Sequence, residues 1–257
     1  MPHILLTNDD GHDAPALLVL ARALRAVGDV TVFAPDHNWS AAGHTKTMHK
    51  PLRVVQGVLG DDIPLRVTTG TPSDCVGLAF MGLVDTPIDL VVSGLNIGAN
   101  LGHDVTYSGT VAGAMEGAVM GRPAIAASVE HSDGRMGDVE YAAGFVARLA
   151  GEVLERGLPR YGLLNVNFPA LPADQITGVR ITRLGIRYYH DVLVQRADPR
   201  GRPYYWIGGA PPTGEPEEGT DVGALACGNI SITPLNLDMT DRGQLARIAE
   251  WPLQWQA

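Results

Sequence analysis

Residues His3–Gly11 read HILLTNDDG, an apolar run that ends in two adjacent acids and a glycine. The run Ile4–Thr7 predicts a buried strand, and the segment Ala14–Val27 that follows predicts a helix. Two neighbouring carboxylates, Asp9 and Asp10, repel each other there, so that one is protonated or a cation is bound. This pattern predicts a metal site at the edge of an α/β sheet. A helix N-terminal acid pair stabilised by the helix dipole is the alternative interpretation.

The alternation of strand and helix continues over the first two thirds of the chain. Short apolar runs separated by amphipathic helices are typical of a mostly parallel sheet with helices on both faces. In such sheets ligands bind beyond the carboxyl ends of the strands. The predicted strands are Ile4–Thr7, Val30–Ala34, Ile88–Val92, Ala124–Val129 and Gly162–Asn167, and the further helices are Thr71–Val84, Thr110–Met120 and Val139–Arg156.

The pattern changes after Phe168, where strand-like pieces alternate with Pro/Gly-rich stretches. We therefore expect an α/β catalytic core over 1–178 and a C-terminal extension of hairpins with a closing helix over 179–257. Such extensions often mediate oligomerisation, including exchange between protomers. The expected pieces are Val179–Thr182, Arg187–Val194, Tyr204–Ile207 and Ile230–Pro234, a loop over Gly209–Gly219 and a helix over Arg242–Trp251.

Composition limits the classes of partner. The 257 residues carry a net charge of −9, and no Lys/Arg cluster is present. This argues against binding to nucleic-acid polymer or to a membrane surface, and it leaves a small anionic substrate open. The two cysteines form no CxxC motif, and no signal-peptide pattern or membrane-length apolar run is seen, so we expect a cytoplasmic protein with reduced thiols.

Two further loops carry polar groups suited to a metal-bound phosphate. The segment Asp36–His44 offers oxygen donors, among them Ser40, which suit a hard ion such as Mg²⁺ or Mn²⁺. Ser40 taken alone could equally be an ordinary loop hydroxyl. The segment Ser93–Val111 is rich in glycine, and Asn96 and Asn100 supply amide oxygens.

Ser108-Gly109-Thr110 opens a helix at the end of that loop, and the free N–H groups there predict an anion site. A structural glycine loop with a Ser/Thr cap is the alternative. A cation at Asp9/Asp10 facing this helix start describes a phosphate site. The chain has no GxGxxG motif after the first strand and no GxxxxGK[ST] motif, so dinucleotide-binding and P-loop classes are not expected.

Five segments resemble the SurE survival-protein family over nearly the whole chain. They are ILLTNDDGHDAP (Ile4–Pro15), APDHNWSAAGHTKT (Ala34–Thr47), GTPSDC (Gly70–Cys75), VVSGLNIGANLGHDVTYSGTVAGAMEG (Val91–Gly117) and ISITPLNLDMT (Ile230–Thr240). The resemblance implies a Rossmann-like core and a homodimer or homotetramer formed through the C-terminal region. Two positions depart from the family pattern: Ala16 replaces a usual glycine, and Trp39 stands where arginine is frequent.

The resemblance also implies an activity and a site. The activity is metal-dependent hydrolysis of nucleoside 5′- and 3′-monophosphates to nucleoside and phosphate. It implies one divalent ion, Mn²⁺ or Mg²⁺, on Asp9, Asp10, Ser40 and Asn96, and phosphate contacts from Ser108, Gly109 and Thr110. Either aspartate can also orient or deprotonate the attacking water, and His12, His44 and His103 are candidates to protonate the leaving oxygen. A non-catalytic nucleotide or phosphate sensor, and a phosphatase of short polyphosphate or sugar phosphate, are the alternatives.

Overall fold

The computed structural model describes residues 1–132 and 134–253 and shows the expected α/β fold, with a nine-stranded, mostly parallel sheet between helices. The strands are β1 His3–Thr7, β2 Asp29–Pro35, β3 Val54–Leu59, β4 Ile63–Thr68, β5 Leu90–Ile97, β6 Ala124–Val129, β7 His131–Ser132, β8 Arg135–Met136, β9 Gly162–Phe168, β10 Gly178–Ile181, β11 Arg187–Ala197, β12 Pro203–Gly214 and β13 Asn229–Asn236. The α-helices are α1 Pro15–Leu24, α2 Pro72–Leu78, α3 Gly109–Val119, α4 Val139–Arg156, α5 Asp221–Ala226 and α6 Arg242–Ala249.

The order of the strands fixes where a ligand can bind. The large sheet runs β10-β13-β9-β6-β5-β1-β2-β4-β3, with β3 and β13 antiparallel to their neighbours β4 and β9. After β1 the chain builds β2 on one side and later β5 on the other side, both parallel to β1. The crevice beyond the carboxyl ends of β1 and β5 is therefore a topological switch point, the usual ligand position in such sheets.

Successive residues of the central strand enter two separate cores. Ile4 and Leu6 pack with α1 and α4 on one face, where Leu20 and Val146 are fully buried. Leu5 packs with α2 and α3 on the opposite face. This alternation follows from the two-residue period of a strand, and it leaves only the strand ends for polar groups. The expectation of helices on both faces is confirmed.

From the sequence we expect a capping box at Thr71-Pro72-Ser73-Asp74 for α2, which is confirmed, and a cap from Asp13 for α1, which is wrong. Thr71 begins α2 with a capping box: its hydroxyl accepts from the Asp74 N–H at 3.1 Å, and Asp74 Oδ2 accepts from the Thr71 N–H at 2.9 Å. For α1 we expect a cap from Asp13, and this is wrong, because the capping position is Ala14 and carries no side-chain bond. Asp13 instead pairs with His12 at 3.2 Å.

Two strand regions differ from the expectations. The prediction of a loop over Gly209–Gly219 is wrong for the first half of that segment. There β12 continues to Gly214 and pairs with β11 as a long two-stranded ribbon. The hairpin β3–β4 has no counterpart among the expected elements. Within the C-terminal part, β13 lies between β9 and β10 in the main sheet. The division of the chain into a core and a C-terminal extension after residue 178 stays a prediction. Residues 254–257 of the extension lie outside the described residues.

In the part of the chain that the structure describes, none of the helices has the length and apolar character needed to cross a membrane.

Candidate active site

The acid pair lies in a tight turn beyond β1. Gly11 has a φ of +102°, a conformation that favours glycine, and it lets the chain reverse into α1. The buried side chain of Asn8 brackets the turn by donating to the Gly11 carbonyl at 2.9 Å and accepting from the Gly11 N–H at 3.3 Å. The turn therefore holds Asp9 and Asp10 at the carboxyl edge of the sheet.

Asp9 is the buried member of the pair, with 4% of its surface exposed. The Thr110 hydroxyl donates to its Oδ1, and the Trp39 N–H donates to its main-chain carbonyl at 2.7 Å. Burial raises the pKa of Asp9, and the hydrogen bond from Thr110 opposes that shift. Asp9 thus joins the loop after β2 to the start of α3.

Asp10 is half-buried and accepts from Asn38 Nδ2 at 3.2 Å. Burial and then repulsion from Asp9 raise the pKa of Asp10, against a smaller effect of the Ile97 N–H. Two neighbouring carboxylates with raised pKa values describe an acid pair that lacks charge compensation. Such a pair gains stability from a bound cation.

Ser40 lies on the loop after β2 and Asn96 lies near the end of β5, and both segments contact the acid pair. Ser40 is exposed, and its N–H donates to Asn38 Oδ1 at 2.7 Å, in the segment that bonds both acids. Asn96 Nδ2 donates to the Gly98 carbonyl at 2.6 Å, and the next residue, Ile97, bonds Asp10 through its N–H. Ser40 and Asn96 therefore adjoin residues that contact Asp9 or Asp10.

The first residue of α3 packs closely against Asp9. A Cβ on Gly109 would lie 2.7 Å from the Asp9 Cβ and 3.1 Å from the Trp39 carbonyl oxygen, so only glycine fits. Ser108 caps the helix by accepting from the Val111 N–H at 3.1 Å. Gly109 and Thr110 are the first residues of the helix, where N–H groups have no partner within the helix. The Thr110 hydroxyl is already bonded to Asp9.

The donor set fits a hard divalent ion. Two carboxylates, a hydroxyl and an amide oxygen are ligands that Mg²⁺ and Mn²⁺ accept. Over residues 1–132 and 134–253, no group of three or more His, Cys, Asp or Glu side chains is placed to hold a metal. A site here therefore depends on the neutral oxygens of Ser40 and Asn96 as well as on the acids.

A cavity of about 480 Å³ opens beside Ser108. The ribbon β11–β12 closes one side of it with Tyr189 and Ile207, and Tyr107 stands edge-on to Tyr189 at a centroid distance of 6.2 Å. The Tyr189 hydroxyl donates to Asp104 at 2.7 Å. Burial and this bond to Asp104 raise the pKa of Tyr189 to about 12. The C-terminal part thus lines the space next to the start of α3.

Several supporting residues have no counterpart among the sequence expectations. Asp221, fully buried, accepts from the Gly102 N–H at 2.8 Å and from the Gly185 N–H at 2.7 Å, so the C-terminal part holds the glycine-rich loop. Asn100, expected to offer an amide oxygen, is buried instead and donates to Ser128 at 2.7 Å. Asn167 Oδ1 accepts from the Asn100 N–H at 2.8 Å. An acid and an asparagine far along the chain carry no local signal of this role.

The three candidate histidines have different surroundings. His12 pairs with Asp13, and His103 is exposed. His44 Nε2 lies 2.9 Å from Oε2 of Glu116, an α3 residue whose side chain is 1% exposed.

Comparison with known proteins identifies relatives of this chain. The family model described as Survival protein SurE matches residues 4–191. A protein of Chloroflexus aggregans named 5′-nucleotidase SurE is 49% identical over 99% of this chain and 100% of its own length. A protein of the same name from Herpetosiphon aurantiacus is 51% identical over 96% of this chain and 97% of its length.

A solved structure shows the same fold. The crystal structure of the SurE protein from Aquifex aeolicus superposes with a TM-score of 0.79 at 40% identity, covering 96% of this chain and 98% of the other. The family model, the full-length relatives and the shared fold agree, and the chain belongs to the SurE family.

Proposed function

We propose that this protein is a 5′-nucleotidase that also accepts 3′-nucleotides, hydrolysing nucleoside monophosphates to nucleoside and phosphate. One observation carries the proposal: Asp9, a member of the uncompensated acid pair, lies so close to the N-terminus of α3 that a Cβ on Gly109 would be 2.7 Å from the Asp9 Cβ. A cation site and an anion site so close together suit a phosphate monoester. Relatives named 5′-nucleotidase SurE, about half identical over nearly the whole chain, support the same activity.

The start of α3 forms the anion-binding half of the site. The Gly109 and Thr110 N–H groups and the Ser108 hydroxyl hold the phosphoryl oxygens. Backbone donors at a helix N-terminus stabilise negative charge there, and they are already oriented before substrate binds. The bond between Thr110 and Asp9 keeps the helix start and the acid pair in fixed relation.

Asp9, Asp10, Ser40 and Asn96 form the cation-binding half. One divalent ion, Mn²⁺ or Mg²⁺, bound there would polarise a phosphoryl oxygen and activate a water. The turn at Gly11 and the bond from Asn38 to Asp10 orient the two carboxylates before the ion arrives. The Asn96 bond to Gly98 orients its amide oxygen in the same way.

The cavity beside Ser108 suits a nucleoside. Its volume of about 480 Å³ lies in the range of small-molecule sites, roughly 300–1,000 Å³. Tyr107, Tyr189 and Ile207 offer apolar and aromatic surface to a base, and Asp104 and Asp191 offer acceptors. A purely anionic substrate such as short polyphosphate would not use this lining.

Phosphate release from AMP, GMP, 3′-AMP, a sugar phosphate and tripolyphosphate, each with Mn²⁺ or Mg²⁺, tests the activity. We expect release from the nucleotides, and a loss of about 10³-fold or more for Asp9→Asn, because transition-state charge stabilisation by a metal is worth several kcal/mol. Binding of AMP without turnover under either ion would instead make the protein a sensor. Preference for tripolyphosphate or the sugar phosphate would contradict the nucleotidase assignment.

We also propose that the protein assembles as a homodimer or homotetramer in the cytoplasm. The β11–β12 ribbon exposes Leu193, Trp206 and Ile207, and α6 has no buried residue, so these parts have apolar surface for a second copy. A cytoplasmic location agrees with the two free cysteines of the chain, because the cytoplasm is a reducing compartment. Light scattering of the full chain tests the assembly, and Trp206→Ser with Leu193→Ser should shift the mass towards the monomer. An unchanged mass would exclude the ribbon as the interface, and fractionation of cells tests the location.

A further inference from the structure

Glu116 is a buried acid that contacts one ammonium group, from Lys46, and one imidazole ring, from His44. It lies on the second half of α3, and its side chain is 1% exposed. His44 Nε2 lies 2.9 Å from its Oε2, and Lys46 Nζ lies 2.6 Å from its Oε1. Burial tends to raise the pKa of Glu116, but the bonds from His44 and Lys46 outweigh burial and lower it. The carboxylate is therefore charged, paired with the Lys46 ammonium and hydrogen-bonded to His44.

Both partners come from the loop that carries Ser40. Residues 36–53 contain no helix or strand, so contacts with the rest of the molecule set the position of this loop. The Trp39 N–H bonds the Asp9 carbonyl at 2.7 Å, and the Gly43 N–H bonds the Tyr107 carbonyl at 2.8 Å. Asp74 on α2 accepts from the Thr47 N–H at 2.9 Å through Oδ1 and from the Thr47 hydroxyl at 2.6 Å through Oδ2.

The contact at Glu116 differs from those hydrogen bonds in its electrostatic consequence. If the loop moves away, the carboxylate exchanges His44 and Lys46 for water, and hydrogen bonds to a charged group contribute more than neutral ones. Opening the loop therefore costs more at this point than the loss of one neutral hydrogen bond. Glu116 lies on the same helix whose first residues bind the phosphate, so it can tie the two halves of the site together.

We propose that Glu116 is a positioning residue that holds the Ser40 loop against α3 through His44 and Lys46. In this arrangement it keeps Ser40 beside Asp9, Asp10 and Asn96, and it tunes the affinity for the divalent ion without touching ion or substrate. The inference rests on the proposed metal site. It makes metal binding depend on the contacts of Glu116 with His44 and Lys46 as well as on the four proposed ligand residues.

Manganese binding to the full-length protein, followed by electron paramagnetic resonance of the free ion, tests this role directly. For Glu116→Gln we expect Mn²⁺ affinity to fall by about 10-fold or more, the usual effect of removing a group that orients a metal ligand. AMP hydrolysis at saturating Mn²⁺ should stay within about twofold of the wild type, since no catalytic group is lost. Glu152→Gln, which breaks an exposed ion pair with Arg156 on α4, is the matched control and should bind Mn²⁺ normally.

A second pair of variants keeps the test informative if Glu116→Gln fails to fold. Lys46→Met removes one partner of Glu116 by changing a residue whose own side chain is 41% exposed, and Lys46→Arg keeps the charge. We expect weaker Mn²⁺ binding in the first and near-normal binding in the second. Unchanged affinity in folded Glu116→Gln or Lys46→Met would overturn the proposal. So would a loss of turnover at saturating Mn²⁺ with normal affinity, which would assign His44 and Glu116 to proton transfer.

The wild type separates this inference from the proposed function. If wild-type protein binds no Mn²⁺ and releases no phosphate from AMP, the proposed function itself fails. If it does both and Glu116→Gln matches it, only the positioning role is wrong.

Discussion

Helix α3 meets buried acids at two places, and the surroundings of the two acids are opposite. At its first residue it contacts Asp9, which with Asp10 has a raised pKa, since burial and mutual repulsion act on the pair. About two turns later, Glu116 has a lowered pKa, since His44 and Lys46 compensate its charge. The protein thus supplies its own partners to the structural acid, among them the Lys46 ammonium. For the acid pair at the strand end, we propose a cation taken from solution.

The largest expected effect comes from withdrawing that external cation. Chelation of wild-type protein should abolish phosphate release from AMP, and added Mn²⁺ should restore it. Mn²⁺ at about 100 times its dissociation constant should also stabilise the fold by about 2.7 kcal/mol through mass action. Thermal unfolding with and without Mn²⁺ measures this gain. Full activity of the wild type in chelator would contradict the contrast between the two acid sites. So would a rise in the unfolding temperature of Asp10→Asn on adding Mn²⁺ that equals the rise in the wild type.

A somewhat smaller effect is expected from crowding the contact between α3 and Asp9. Gly109→Ala places a Cβ 2.7 Å from the Asp9 Cβ, and such overpacking costs about 1–3 kcal/mol. Urea unfolding and the Mn²⁺ affinity of the variant measure it. Gly144→Ala on α4 is the control, because its Cβ meets only Arg148 at 3.9 Å and should gain up to about 1 kcal/mol of helix propensity. Equal behaviour of the two variants would show that the contact is not tight.

Asp10→Asn should make the metal-free protein more stable at neutral pH. The folded-state pKa of Asp10 is raised, so the ionised carboxylate disfavours the fold above that pKa, and the penalty vanishes below the unfolded value of about 3.9. Urea midpoints in chelator at pH 7 and pH 3.5 test this, with a higher midpoint for the variant at pH 7 only. A variant less stable than wild type at pH 7 would mean that the pair is compensated by the protein.

Glu116→Gln should show the opposite dependence on pH. A lowered folded-state pKa gives stability that is present above the unfolded value of about 4.3 and is lost as pH falls through the folded value. The variant should therefore be less stable than wild type at pH 6, and the gap should narrow towards pH 3. Chemical unfolding in chelator across this interval measures the gap. A gap that does not depend on pH would point to packing rather than charge.

Much of the sheet could be predicted from the sequence because its strands are buried on both faces. The bounds of β6 and α4 match the expectations, since continuous apolar runs and a long amphipathic period leave little ambiguity. The hairpin β3–β4 is missed because most of β3 is exposed and has no core pattern. The second half of β12 is missed because glycine and proline dominate it, although it pairs along β11.

In the site, too, some residues have a local sequence signal and others do not. The acid pair and the glycine-rich loop stand out locally, and their convergence follows from the parallel sheet. Their roles as ligands remain predictions. The partners Glu116 and His44, and the brace from Asp221 to Gly102, join residues far apart in the chain. A single glutamate within a helix is indistinguishable in sequence from an ordinary surface residue, so only the folded structure brings these groups together.

The position of β13 has a consequence for biosynthesis. Strand β9 completes its pairing only when β13 arrives on its outer side, after the whole β11–β12 ribbon has been made. Until then a nascent chain on the ribosome presents the open edge of β9, and open edges readily recruit other strands. Slow translation or an early stop between these two strands should therefore send the unfinished polypeptide to chaperones or into aggregates.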